Sequence, residues 1–134
     1  MKKILIFFLC FFLCACNNET SSFERKKISF DKIFQIDEEL YYIFFYLDGC
    51  LACRNIVLYL KEISALIDEN IYSVDLLECS FAEKNESNIG VSENEKLYIP
   101  YAPYILKIID GEVKEELAGY QAIRENDNFF SQFS

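Results

Sequence analysis

Hydrophobic residues along the chain form segments whose spacing predicts strands and helices. Residues 41–47 are an unbroken run of apolar and aromatic side chains, YYIFFYL, followed by an Asp-Gly pair. A continuous apolar run of this length predicts a strand that is covered on both faces, as in the centre of an α/β sheet. From Cys53 to Ile67 apolar residues recur at spacings of 3, 4, 3 and 4, which predicts one face of a helix ending near residues 68–70.

Weaker patterns surround these two elements. Residues 30–39 and 122–133 carry apolar side chains on one side, and each segment predicts an amphipathic helix, the second closing the domain. Residues 71–77 predict a second strand. The polar residues 80–95 predict a loop with at most short helical turns.

A β-hairpin is predicted near the C-terminus. Residues 104–109 and 112–118 flank an Asp-Gly pair, which is a strong hairpin turn sequence. Val113 and Leu117 are expected on the same face, because side chains alternate along a strand. The order of strand, helix, strand and hairpin predicts one α/β domain.

The N-terminus has the pattern of an export signal. Two lysines follow the initial Met, and the apolar run after them stops well short of the roughly 20 residues that span a bilayer. The sequence Leu13-Cys14-Ala15-Cys16 resembles the lipobox of bacterial lipoproteins, which implies cleavage before Cys16 and lipidation of that residue. The alternatives are an ordinary signal peptide cut after Ala15 and a buried hydrophobic helix.

Domain organisation and charge follow from this interpretation. Removal of residues 1–15 would leave 119 of the 134 residues, which is enough for one domain. The polar residues 16–27 predict a flexible tether, and the domain is expected at 28–134, outside the cytoplasm and held to a bacterial membrane through Cys16. Losing two lysines with the signal changes the net charge from −9 to −11. This acidity argues against nucleic acid and anionic lipid headgroups as partners.

With Cys16 modified by lipid, three cysteines with free thiols remain in the exported part. Their odd number argues against a disulfide-stapled framework. Cys50 and Cys53 form a CxxC at the predicted strand-to-helix turn, where a helix N-terminus favours the thiolate of the first cysteine. A zinc site is the weaker hypothesis, because the chain has no histidine and one further thiol, Cys79. Cys79 is expected to be a buried small apolar residue; the alternatives are exchange with the pair or an intermolecular link.

A buried strand, a CxxC at a helix start, a later proline and an Asp-Gly hairpin occur in the order that resembles the thioredoxin superfamily. Residues 45–54 and 102–111 match best. The resemblance implies a thioredoxin-like α/β fold: a central mixed β-sheet flanked by helices, with a C-terminal hairpin and a closing helix. It also implies that Cys50 is the nucleophile and Cys53 the resolving thiol. Ala102-Pro103 then takes the place of the family's substrate-orienting cis-proline.

By the same resemblance the chain is expected to be a thiol–disulfide oxidoreductase. Its substrates would be thiols or disulfides of proteins or peptides, its redox group the Cys50–Cys53 disulfide without a further cofactor, and its recycling partner another redox protein. Its size and motif spacing look like those of bacteriocin transport accessory proteins. The alternative is a non-catalytic binding lipoprotein with a structural disulfide. Three tyrosines near the proline either line a substrate groove or pack in the core: Tyr98, Tyr101 and Tyr104.

Two departures from the thioredoxin pattern concern the mechanism. Thioredoxins carry a buried acidic residue six positions before the first cysteine, where this chain has Phe44. A substitute proton acceptor for the resolving thiol would have to be one of four groups: water, Glu38, Glu39 or Asp48. The dipeptide between the cysteines is Leu-Ala, which offers no charge to a thiolate, so we expect a less oxidising pair than in periplasmic oxidases. Pro100 is the alternative candidate for the cis-proline, but its position relative to the hairpin matches the family pattern less well than that of Pro103.

Overall fold

The computed structural model describes residues 26–81 and 84–131. The described strands are β1 (Leu40–Tyr46), β2 (Ile71–Asp75), β3 (Tyr104–Ile109) and β4 (Glu112–Ala118), and the helices are α1 (Leu51–Leu66) and α2 (Tyr120–Glu125). The predicted signal peptide, Cys16 and most of the predicted tether lie outside the described residues. Within the described ranges no helix is long and apolar enough to cross a membrane.

The strands form one mixed sheet in the order β2-β1-β3-β4. β1 pairs with β2 in parallel and with β3 in antiparallel orientation, and β4 pairs antiparallel with β3. The helix α1 is the crossover that the parallel pair requires. Asp110 and Gly111, between β3 and β4, have φ of 53° and 74°, as a type I′ hairpin turn demands. The predicted hairpin is therefore confirmed.

Side chains on the two faces of the sheet build two cores, which confirms that β1 is covered on both faces. Tyr41 to Phe45 have no exposed surface. We call the first core, which lies under α1 and α2, the helix-side core: Tyr42, Phe44, Cys53, Ile56, Tyr59, Leu60, Ile71, Ile105, Ile123, Phe129 and Phe130. The second is the loop-side core: Ile33, Tyr41, Ile43, Phe45, Val74, Leu97, Ile99, Tyr104, Leu106, Ile108 and Val113. Irregular chain with short 3₁₀ helices, before β1 and after β2, covers it.

The helix predicted over residues 30–39 is wrong. A single 3₁₀ turn, Phe30–Lys32, is present, and the chain then runs irregularly to β1. The hydroxyl of Tyr41 donates a 2.7 Å hydrogen bond to the carbonyl of Ile33, the acceptor that an α-helix would offer to residue 37. The apolar residues of this segment, spaced three and four apart, therefore pack against the loop-side core from irregular chain and not from an α-helix.

The strand predicted over residues 71–77 ends early, at Asp75. One carboxylate oxygen of Asp75 accepts a 2.9 Å hydrogen bond from the backbone N–H of Leu77. This local bond turns the chain into the 3₁₀ helix Leu76–Glu78, because a short polar side chain competes with the strand ladder for backbone donors. The apolar Leu76 and Leu77 therefore lie outside the sheet.

The expectation that Val113 and Leu117 share a face is also wrong. The register of β3 and β4 shifts between Lys107, which pairs with Glu115, and Ile108, which pairs with Val113. A β-bulge of this kind places an extra residue in one strand, so side chains before and after it change faces. Val113 is buried in the loop-side core, whereas Leu117 packs against the helix-side core.

The predicted closing helix over 122–133 is interrupted. α2 starts at Tyr120 and stops before Asn126, whose side-chain amide donates to the carbonyl of Ala122 at 2.9 Å. That carbonyl would otherwise accept from the backbone of residue 126 in a continuing helix. A 3₁₀ helix, Asp127–Phe130, completes the segment and places Phe129 and Phe130 in the helix-side core.

Candidate active site

The two cysteines of the CxxC form a disulfide at the start of α1. Gly49, with φ of 77°, turns the chain out of β1, and Cys50 is the N-cap of the helix. The two Cα atoms are 5.2 Å apart. Cys50 is partly exposed, whereas 3% of Cys53 is exposed. An incoming partner can therefore reach Cys50 directly, while Cys53 lies beneath it.

The start of α1 favours negative charge on the sulfur of Cys50. The backbone N–H of Cys53 points at that sulfur at 3.1 Å, and the carbonyl of Cys50 accepts from the backbone N–H of Arg54 at 3.1 Å. Other N–H groups of the first turn have no partner within the helix. Once the disulfide is reduced, this hydrogen bond and the helix dipole both stabilise a Cys50 thiolate.

Ala102 and Pro103 lie in the segment directly before β3. The Ala102–Pro103 peptide bond is cis, and Pro103 is buried immediately before β3. Its carbonyl accepts a 2.8 Å hydrogen bond from the backbone N–H of Gly119. Ala102 packs against the helix-side core, as does Cys50. The rival Pro100 is exposed and follows a trans bond.

A cavity of about 640 Å³ opens next to Cys53, between the end of β1, the start of α1 and β2. Its lining consists of Lys27, Phe44, Tyr46, Leu47, Asp48, Gly49, Cys53, Arg54, Val57 and Ser73. Phe44 is fully buried there, at the position where thioredoxins carry their acid. The cavity wall behind the resolving cysteine is therefore apolar at that point.

Of the three carboxylates that could replace this acid, Asp48 lines the cavity. Glu38 and Glu39 precede β1, and the seven residues of β1 separate them from the CxxC by about 20 Å. Glu38 is bound instead by the side chains of Asn70 and Tyr72 at the far end of the sheet. The backbone carbonyl of Glu39 accepts from Asp110 in the hairpin turn.

Two cations that sequence reasoning missed line the same cavity. Lys27 belongs to the predicted tether, yet it forms a parallel bridge with Ser73, so the fold extends further toward the N-terminus than the predicted boundary. Its ammonium group lies 3.3 Å from Glu78, and the hydrogen bonds that it donates to Tyr46 and Glu78 raise the pKa of Lys27. Arg54 follows the CxxC directly. Its position was visible in the sequence, but the pairing of residues 27 and 73 had no sequence signal.

Cys79 is not brought to the disulfide. It packs against the loop-side core, on the opposite face of the sheet from Cys50 and Cys53, and its sulfur donates to the carbonyl of Asp75 at 3.4 Å. Burial, with smaller contributions from the nearby Asp75 and Glu78, raises the pKa of Cys79 to about 12. A thiol held protonated is a weak nucleophile. This environment favours a packing role.

The three tyrosines do not form one groove. Tyr104 is buried, and its hydroxyl donates to Glu116 at 2.6 Å. Tyr98 and Tyr104 line a separate cavity of about 410 Å³ with residues 84–88, whereas Tyr101 is 51% exposed. Leu51, within the CxxC itself, is also an exposed apolar side chain. Among residues 26–81 and 84–131 no three His, Cys, Asp or Glu side chains are grouped to hold a metal.

A mixed sheet, a disulfide at the N-terminus of the crossover helix and a cis-proline before the hairpin define an α/β domain of the thioredoxin class. No protein family profile and no curated protein sequence matches the chain. Solved thioredoxin structures do match. Chlamydomonas reinhardtii thioredoxin f2 has 18% identity and a TM-score of 0.54, over 77% of this chain and 94% of that one.

Two further structures agree. The reduced Schistosoma mansoni thioredoxin pre-protein has 17% identity and a TM-score of 0.54, over 81% of this chain and 96% of its own. Thioredoxin f2 in complex with ferredoxin:thioredoxin reductase has 16% identity and a TM-score of 0.51, over 71% and 82% of the two chains. The chain thus has the thioredoxin fold, which confirms the predicted fold class.

Proposed function

We propose that this protein is an extracytoplasmic thiol–disulfide oxidoreductase, held to a membrane by lipid on Cys16 and acting on protein or peptide disulfides. The unequal placement of the two cysteines is the observation that carries the proposal. Cys50 is partly exposed at the helix N-cap and Cys53 is buried behind it. A nucleophile must meet its substrate, whereas a resolving thiol must be shielded until the mixed disulfide has formed.

In the reducing direction the reduced pair passes two electrons to the substrate. The Cys50 thiolate attacks a substrate disulfide, one substrate sulfur leaves as a thiolate and takes up a proton, and a mixed disulfide with Cys50 results. Cys53 then loses its proton and attacks the Cys50 sulfur. The Cys50–Cys53 bond forms, and the second substrate sulfur leaves. The reverse sequence of steps oxidises a substrate dithiol.

We assign substrate positioning to the segment that ends at Pro103. What supports this is the cis bond at Pro103 and the packing of Ala102 against the same core as Cys50, together with two exposed apolar side chains, Tyr101 in this segment and Leu51 within the CxxC. Apolar patches beside a reactive group suit the docking of a peptide segment. For recycling we propose a redox protein, since a thioredoxin f2 of the same fold forms a complex with ferredoxin:thioredoxin reductase.

Reduction of insulin disulfides by the full chain tests the activity. We expect turnover with the wild-type chain and its loss in Cys50→Ser, because the substrate must bond to that sulfur. Cys79→Ser is the matched control, removing one thiol on the opposite face of the sheet, and should keep wild-type activity. Equal activity of Cys50→Ser and wild type would refute the enzyme hypothesis and leave the disulfide as a structural part of a binding module.

A second measurement, the reduction potential of the Cys50–Cys53 pair, indicates the direction of electron flow. It is obtained by equilibrating the pair with glutathione buffers. A reductase lies near about −270 mV and a strong oxidase near about −120 mV. We expect a value toward the reducing end, because neither Leu51 nor Ala52 carries a charge that would stabilise the reduced thiolate.

A further inference from the structure

The cavity behind the disulfide has a local charge opposite to that of the chain. The whole sequence carries −9, yet the cavity is lined by Lys27, Arg54 and one carboxylate, Asp48. Tyr46 also lines the cavity, and burial raises the pKa of its phenol and keeps it neutral. The charged lining residues are therefore two cations and one carboxylate, and the carboxylate of Glu78, which is not part of the lining, pairs with Lys27.

Both cations are positioned by the fold. Backbone pairing with Ser73 fixes Lys27, the N–H of Ile28 donating to the Ser73 carbonyl at 2.9 Å, and Glu78 holds the ammonium group from outside the cavity. The backbone of Arg54 is fixed by its bond to the carbonyl of Cys50. Its guanidinium forms no ion pair within residues 26–81 and 84–131. That charge remains available to a group in the cavity.

The chemistry of resolution requires a Cys53 thiolate. A protein can produce one with a base that takes the proton, or with nearby cations that stabilise the anion. The first route lacks its usual base, because Phe44 is buried at the position where thioredoxins carry the acidic residue. Of the three candidate carboxylates, Glu38 and Glu39 lie at the far end of the sheet, and Asp48 is exposed in the turn after β1, unlike the buried acid of thioredoxins.

We propose that Lys27 and Arg54 are positioning residues that stabilise the Cys53 thiolate from the cavity side, in place of the buried carboxylate of thioredoxins. The proposal rests on the proposed function and adds the means by which its second step is driven. The thiol proton of Cys53 passes to water in the cavity, and the thiolate attacks the Cys50 sulfur. The Cys50–Cys53 bond forms as the bond from Cys50 to the substrate breaks.

A two-phase thiol assay isolates this step. The background is the full-length chain with the four cysteines outside the pair replaced by serine: Cys10, Cys14, Cys16 and Cys79. The reduced chain is mixed with the neutral disulfide dithiodipyridine in a stopped-flow instrument. Attack by Cys50 releases the first thiopyridone, and attack by Cys53 on the resulting mixed disulfide releases the second. The pH midpoint of the second phase reports ionisation of Cys53.

The variants are Lys27→Met and Arg54→Met, and the matched control is Lys96→Met. Lys96 is exposed, pairs with Glu93 and lines neither cavity, so the control makes the same change in net charge elsewhere. In the two test variants we expect the midpoint of the second phase to rise by about half a pH unit, slowing resolution at neutral pH about threefold, because exposed charges act weakly through solvent. Lys96→Met should keep the background midpoint.

Salt provides a second measurement of the same effect. Raising the ionic strength should raise the midpoint of the background chain and leave that of a variant carrying both Lys27→Met and Arg54→Met nearly unchanged, since screening weakens the same cations. An unmoved midpoint in Lys27→Met or in Arg54→Met overturns the role of that residue, and an equal shift in Lys96→Met overturns both. Failure of the proposed function is distinguishable, because insulin would then remain unreduced while both thiopyridone phases could still be measured.

Discussion

Individual cysteines of this chain differ in their surroundings, and we expect their reactivity to differ with them. Burial raises the pKa of Cys79 to about 12, so at pH 8 only about one molecule in 10⁴ carries a Cys79 thiolate. In the reduced native chain, iodoacetamide at pH 8 should therefore modify Cys50 and leave Cys79 intact. Labelling of Cys79 should increase as the pH rises toward 12, because the thiolate fraction grows tenfold per unit.

Peptide mass spectrometry after a timed quench measures this difference. The control is the same reaction in denaturant, where the thiol regains an ordinary pKa and Cys79 should be labelled as readily as Cys50. Native labelling of both cysteines at similar rates would contradict the structure's placement of Cys79 against the loop-side core.

The residues of the site were predictable to different degrees. Cys50 and Cys53 follow from the CxxC at the end of an apolar run, and Pro103 from its distance to the hairpin. Lys27 was out of reach, because its place depends on a bridge to a residue 46 positions later and it lies in a segment whose composition predicts a tether. A local sequence pattern can identify residues that are close in the sequence, such as the two cysteines. Pairing between distant residues, such as Lys27 and Ser73, is seen only in the folded structure.

At the scale of elements, the end of β2 depends on one side chain. Asp75 is 9% exposed, and its carboxylate caps the 3₁₀ helix Leu76–Glu78 through the N–H of Leu77. Asp75→Ala should lower the free energy of unfolding by about 1 kcal/mol, the usual loss for such a cap. Asp75→Asn is the matched control, since it keeps an oxygen acceptor, and it should cost less.

Chemical denaturation of the oxidised chain, followed by far-UV circular dichroism, compares the two variants. The midpoint should fall in Asp75→Ala with little change in slope, because the denatured state is not altered. If Asp75→Asn destabilised the chain as much as Asp75→Ala, the hydrogen bond to Leu77 would not be what ends the strand.

The elements that sequence predicted correctly are those with one unbroken pattern. β1, α1 and the hairpin each follow from a continuous apolar run, a repeated helical spacing or an Asp-Gly turn. Errors arose where a single hydrogen bond or an extra residue decided the outcome. The Tyr41 hydroxyl occupies the carbonyl of Ile33 and ends a helical pattern, and the bulge after Val113 reverses the faces of β4. Neither the hydrogen bond nor the bulge can be predicted from the spacing of apolar residues.

At the scale of the whole molecule, the two faces of the sheet are covered in different ways, and this arrangement separates the thiols. Helices α1 and α2 cover the face that holds Cys50 and Cys53, whereas irregular chain covers the face that holds Cys79. The sheet therefore stands between the redox pair and the third thiol. We therefore expect no exchange between the pair and Cys79 within one native molecule.

Membrane attachment is the property of the whole chain that remains to be tested. We expect bacteria that express the full chain and are fed labelled palmitate to incorporate the label into it. Cys16→Ser should abolish labelling, because the lipobox resemblance assigns the lipid to that sulfur. Cys14→Ser is the matched control two residues earlier, and it should remain labelled. Labelling that survives in Cys16→Ser would refute the assignment of the lipid to Cys16, and labelling absent from the wild-type chain would refute the lipid anchor; insulin reduction would still report independently on the redox pair.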